Sequence, residues 1–127
     1  MKSGTRTKLV QKIYEKTKNP DGVIDFGKDP YIRHIKKVFK GYFEQEEQLN
    51  EILSRSLSAE IKQKNLDSLL NIILKTSIYE LKFCEKIPFK VVINQYLDVT
   101  AQFYGNDQKR LVNGVLDNVA KSLNSSN

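Results

Sequence analysis

Six side chains in this sequence have the type and spacing to hold a polyanion. Lys2, Arg6, Lys8 and Lys12 follow one another at steps of two to four, and Lys75 and Tyr79 stand one helical turn apart near the middle of the chain. Lysine and arginine neutralise phosphate charge, and the first turn of a helix adds oriented N–H groups. A tyrosine face can stack an unpaired base. Together these features point to single-stranded nucleic acid. They require Arg6 and Lys8 to be exposed at the start of a helix, with Lys75 and Tyr79 brought beside it. The bland alternatives are plain solvation for Lys12 and Lys16 and core packing for Tyr79. If Arg6 grips phosphate at the surface, replacing it leaves stability nearly unchanged.

Little else here could run covalent chemistry. His34 is the only histidine and has no cysteine or carboxylate at ligand or triad spacing. Cys84 is the only cysteine, which excludes an internal disulfide and a Cys-rich zinc site. No Gly-rich phosphate loop is present, and Asp29, Asp67 and Asp107 read better as helix caps than as an acid–base pair. No catalytic residue, metal or cofactor is expected. No apolar run approaches the ~20 residues that span a bilayer. The first residues lack the apolar core of a signal peptide. A reduced, cytoplasmic protein without a membrane partner is the expectation.

The net charge is +6 over 127 residues, and it is unevenly spread. Residues 1–18 carry Lys2, Arg6, Lys8, Lys12, Lys16 and Lys18 against Glu15 alone. Residues 28–40 carry Lys28, Arg33, Lys36, Lys37 and Lys40 against Asp29 alone, whereas Glu44, Glu46, Glu47 and Glu51 form an acidic block. Such asymmetry suits a polyanion at one face.

Apolar spacing along the chain is helical throughout. Leu66, Leu69, Leu70, Ile73, Leu74, Ser77, Ile78 and Leu81 recur at steps of three and four, predicting a central helix over 66–83 with one buried face. Its other face carries Asn71, Lys75, Tyr79 and Lys82. A first helix is predicted over 5–18, ended by Asn19-Pro20-Asp21-Gly22. Asp29-Pro30 opens one long helix from 30 to about 57, which Gly41 could bend. One short helical turn fits 58–65. Pro88 begins a helix with Phe89, Val92, Ile93, Tyr96, Leu97, Thr100, Phe103 and Tyr104 inward, and Asp107 caps a last helix carrying Leu111, Val112, Val115, Leu116, Val119 and Leu123. Asn94 reads as a buried polar residue, and Asn113-Gly114 as a site of close helix approach. The fold class is all-α: a single domain over 1–127, a compact bundle of two packed sub-bundles, 1–57 and 58–127.

Three ordered motifs carry a family resemblance. Leu74-Lys75-Thr76-Ser77-Ile78-Tyr79-Glu80-Leu81 resembles the "LRxAxYEL" helix of the NusB family. Ile87-Pro88-Phe89-Lys90-Val91-Val92-Ile93-Asn94 is similar to its "vPxkvaIN" turn and helix, and Leu111-Val112-Asn113-Gly114-Val115-Leu116-Asp117 to its "fVNGvLD" segment. Arg6 with Val10-Gln11-Lys12-Ile13-Tyr14 looks like its opening pattern.

The resemblance implies a non-enzymatic transcription antitermination factor. Such proteins pair with the small-subunit ribosomal protein NusE, bind the boxA element of nascent ribosomal RNA leaders, and help an RNA polymerase complex pass terminators. By position, the resemblance places Lys2 and Arg6 in the RNA-binding segment, Lys75 where an arginine is usual, and Tyr14, Asp107 and Leu111 on the NusE surface. Ser3 and Gly4 dilute the basic start, and Lys75 lacks the guanidinium fork. The loop over 19–29 is short, so the extra helix of many relatives is expected to be missing. Two rivals remain: a NusB-like RNA-recruiting domain of a ribosomal RNA methyltransferase, and a protein-binding homodimeric scaffold.

Overall fold

A helix enclosed on all sides needs side chains that are apolar or internally satisfied around its whole circumference, and residues 70–81 supply them. In the computed structural model, which describes residue 1 and residues 3–125, Leu70 and every residue from Ile72 to Leu81 are buried. They belong to α4 (Ser68–Phe83), the fourth of six α-helices among the described residues. The others are α1 (Ser3–Lys18), α2 (Ile32–Glu44), α3 (Glu46–Ser56), α5 (Phe89–Phe103) and α6 (Asn106–Ser125). All five pack against α4.

The two buried hydroxyl residues of α4, Thr76 and Ser77, are accommodated locally. The Thr76 hydroxyl donates to the Ile72 carbonyl at 2.6 Å, and the Ser77 hydroxyl to the Ile73 carbonyl at 2.9 Å. Each returns its proton to its own helix, so neither needs a partner outside. Asp67 begins α4 as expected, its carboxylate accepting from Leu70 N–H at 3.0 Å. The turn after α4 is closed by Ile87 N–H to the Cys84 carbonyl at 3.0 Å, and Pro88 then stands immediately before α5. A single 3₁₀ turn at Gln63–Asn65 is the short helical turn expected in the polar stretch.

The long helix expected over 30–57 is two helices. The break falls at Gln45, with φ −108° and ψ 16°, and not at Gly41. The ladder continues across it: Gln45 N–H donates to the Gly41 carbonyl at 2.9 Å, and Leu49 N–H to the Gln45 carbonyl at 2.9 Å. A straight rod over 32–56 would be about 37 Å long, against about 24 Å for α4, by the α-helical rise. The change of direction lets Ile35, Val38 and Tyr42 of α2 and Leu49, Ile52 and Leu53 of α3 all enter one core.

Gly41 has a different purpose. It is buried, and a Cβ built on it would overlap the hydroxyl and ring edge of Tyr79. The missing side chain is the space in which the Tyr79 ring lies against the backbone of α2. Gly41→Ala is expected to destabilise the protein by about 1–3 kcal/mol, the usual range for overpacking. Tyr79→Leu in the Gly41→Ala background should recover part of that loss. Thermal unfolding of both single variants and the double variant checks this, and strictly additive losses would show that the two residues do not share the space.

Candidate nucleic-acid and protein interfaces

Arg6 is not at the surface. It is 1% exposed and forms a two-pronged pair with the fully buried Glu80, Nε to Oε2 at 2.9 Å and Nη2 to Oε1 at 2.8 Å. Position 6 lies on the same helical stripe as Leu9, Val10 and Ile13, the face that α1 turns to α4 and α5. Glu80 also accepts from the Tyr96 hydroxyl of α5 and contacts His34 Nε2 of α2 at 2.8 Å. Burial pushes the Glu80 carboxyl up. The His34 hydrogen bond, the Arg6 charge and hydrogen bonds, and the Tyr96 hydroxyl outweigh it and hold the group below the usual carboxylate range. Burial, followed by the Glu80 charge, pushes the Tyr96 phenol well above its ordinary value.

Lys75 and Tyr79 are also inside, 6% and 7% exposed. The Lys75 ammonium meets Glu46 of α3 at 2.9 Å and lies 5.0 Å from the centre of the Tyr42 ring. Tyr79 fills the Gly41 notch and packs on Phe83 with ring centres 4.9 Å apart. The face expected to be open is closed by α2 and α3, so these two residues offer no stacking platform to RNA in this fold. Lys8 is partly exposed and paired with Asp29 at 3.1 Å, and Lys12 is partly exposed and 3.6 Å from Glu15. Lys2 lies outside the described residues. Of the six residues expected to meet RNA, Lys8 and Lys12 are the described ones whose cations reach solvent.

The exposed cations gather instead on α2. Arg33, Lys36, Lys37 and Lys40 all face solvent opposite Ile35, Val38 and Tyr42. The signal was present in the sequence as the basic run over 28–40, interleaved with apolar residues at helical spacing. Asp29 sits ahead of α2, not at its cap. Its carboxylate accepts from Tyr31 N–H at 2.8 Å and from Lys8, and these two hydrogen bonds lower its pKa.

Asp107 and Leu111 lie together, whereas Tyr14 is exposed toward the end of α1. Asp107 and Leu111 line a shallow depression with Asp67 and Leu70 at the start of α4. The Tyr104 hydroxyl donates to Asp67 at 2.6 Å. Lys18 lies 5.3 Å from the Tyr14 ring centre and donates to Ser68 at 3.0 Å. Asp107 is within the first turn of α6, where its charge faces the positive end of the helix, and it pairs with Arg110. It is therefore not the cap residue. Asn94, Asn113 and Gly114 are exposed, and a Cβ on Gly114 would meet nothing within 4 Å. The buried roles expected for them do not hold.

The NusB family model matches residues 5–121. This chain belongs to the NusB family. It is 37% identical over 86 residues to the transcription antitermination protein NusB of Bartonella tribocorum, covering 68% of this chain and 55% of that protein. It is 38% identical over 90 residues to the protein of the same name from Rickettsia conorii, covering 71% and 58%. These matched stretches thus span little more than half of the relatives' own length. The Bartonella quintana protein of that name aligns more fully, at 29% identity over 96% of this chain and 89% of its own. Among solved structures, NusB of T. maritima superposes with a TM-score of 0.81 over 95% of this chain and 93% of that one, at 21% identity, which carries the NusB fold.

Arg6→Ala should strand a buried carboxylate and destabilise the protein by about 3–5 kcal/mol, whereas Lys8→Ala or Lys12→Ala should stay within about 0.5 kcal/mol. Denaturant unfolding of the three variants checks this. Glu80 has a lowered folded pKa, so its contribution is complete above the ordinary value of 4.5 and is lost as pH falls through the lowered one. Stability measured from pH 6 down to pH 3 should therefore fall below about pH 4.5. Glu80→Gln, less stable throughout, should show a shallower fall across that window.

Proposed function

We propose that this chain acts in the cytoplasm as a transcription antitermination protein, a non-enzymatic adaptor for nascent RNA. In this reading it binds a single-stranded boxA element of a ribosomal RNA leader together with NusE. The pair then joins the RNA polymerase complex that reads through terminators. The observation that carries the reading is the family match over residues 5–121, set on a helical scaffold with a basic outer face. Among the described residues no helix is long and apolar enough to cross a membrane, and no group of three or more His, Cys, Asp or Glu side chains could hold a metal.

The chemistry follows from where charge is free. Lys8 and Lys12 hold only partly exposed pairs, which are weak in water and exchange readily for phosphate. Lys2 would extend that set beyond the described residues. Arg6, Lys75 and Tyr79 contribute indirectly, by holding α1, α3 and α4 in place. Asp107 and Leu111 line the depression at the start of α4, which in this reading leaves NusE a surface distinct from the Lys8–Asp29 pair. That separation is what an adaptor needs.

The test is a gel shift of a single-stranded boxA leader RNA, with and without NusE, at several salt concentrations. Binding strengthened by NusE is expected, with log affinity falling by about 0.7 per phosphate contact for each unit of log salt. Absence of RNA binding under all these conditions, or an affinity indifferent to salt, would overturn the reading.

A further inference from the structure

We propose that the outward face of α2 is the main phosphate track for single-stranded RNA, running from Arg33 through Lys37 to Lys40, with Lys86 flanking it. The inference rests on the RNA-binding reading above and assigns it a surface that the N-terminal cations alone do not provide.

The face is built for a polyanion. Arg33, Lys37 and Lys40 follow at i, i+4 and i+7, so they stand in a row about 10 Å long on one side of the helix. The other side is anchored by Ile35, Val38 and Tyr42, which fixes the orientation of the row. Among the described residues no carboxylate lies within ion-pair distance of Arg33 or Lys37. Lys40 has only Glu44 at 3.7 Å, with both side chains more than half exposed. Such a pair costs little to break. The α1 cations differ: Lys8 is held by Asp29 and Lys12 by Glu15. The Lys8–Asp29 pair also joins α1 to the segment just ahead of α2, so the two sets of cations are neighbours.

A depression of about 430 Å³ adjoins the track, between α2 and the turn after α4. His34 and Lys37 line one side, Lys86 and Glu85 the other, with Phe83 and Cys84 among the lining residues. Its size falls in the range of small-ligand sites, about 300–1,000 Å³. A cation at its edge and an aromatic ring among its lining residues suit a nucleotide whose base is unstacked, its phosphate on Lys37. A duplex keeps its bases inside and could use only the cations. Glu85 disfavours phosphate on its own side, which leaves the Lys37 side for the backbone.

The experiment uses the full chain and a fluorescein-labelled single-stranded boxA leader RNA, followed by anisotropy across a salt series. The variants are Arg33→Gln/Lys37→Gln and a charge-matched control, Lys62→Gln/Lys64→Gln, whose residues are exposed near the 3₁₀ turn. The α2 variant should bind roughly tenfold more weakly at low salt, with a slope shallower by about 1.4 for two lost contacts. Its melting temperature should match the wild type, and the control should keep its affinity. Unchanged affinity and slope in the α2 variant, with the wild type binding RNA, would overturn the track and leave the functional reading standing. Failure of the wild type to bind RNA, with NusE present as well as without it, would overturn both. Equal binding of a fully paired duplex of the same sequence would overturn the single-strand assignment. Loss of NusE binding with RNA binding intact would give this face to a protein partner.

Discussion

A carboxylate withdrawn from water stays ionised only if donors replace its hydration shell, and Glu80 draws its donors from three other helices. Arg6 reaches it from α1, His34 from α2 and Tyr96 from α5. An unpaired charge at this depth would cost several kcal/mol. Each donor is therefore constrained in position, and with it the helix that carries it. Apolar packing around α4 supplies most of the stabilisation but is tolerant of small slides. The Glu80 node is directional, and it fixes how far along α4 the helices α1, α2 and α5 sit. Arg6 closes the pair with two hydrogen bonds through Nε and Nη2, a geometry lysine cannot reproduce.

Function follows from what this node leaves outside. An arginine committed to the core cannot also grip RNA, and Lys75 is likewise committed to Glu46 beneath the Tyr42 ring. Charges available to a partner are those on faces turned away from α4. On α2 these are Arg33, Lys36, Lys37 and Lys40. The same helix carries His34, whose imidazole touches both Glu80 and the depression beside Lys37. The core pair thus sets the angle at which the basic face meets solvent, a link between packing and recognition that needs no moving part.

Much of the fold was legible in the sequence, because apolar spacing reports burial directly. α1, α4, α5 and α6 follow their apolar stripes closely, and Asp67, Pro88 and the Asn19–Gly22 break mark ends where expected. The division of α2 from α3 was not legible, since no proline or glycine stands at Gln45 and the apolar spacing continues across it. Gly41 was visible as a glycine, but its purpose lies in Tyr79, thirty-eight positions away. The site was harder to read. Charged residues are ordinarily outside, and that prior placed Arg6 on the surface. The contrary signal was its register with Leu9, Val10 and Ile13, matched by Glu80 in register with Ile73 and Ser77 on α4. Lys75 and Tyr79 were misplaced because an amphipathic reading assumes one free face, and α4 has none. Asn94, Asn113 and Gly114 erred the other way: they were assigned to helix contacts and stand exposed.

Arg6 serves the core, and in the proposed reading Arg33 on α2 serves RNA. Side-chain Nε–H spectra of the arginine-labelled protein, recorded as single-stranded boxA RNA is added, test this division most directly. The Arg6 signal should be protected from solvent exchange and unmoved by RNA, while the Arg33 signal shifts in proportion to the RNA bound. An Arg6 signal that exchanges freely and moves with RNA, beside an Arg33 signal that does not, would contradict it.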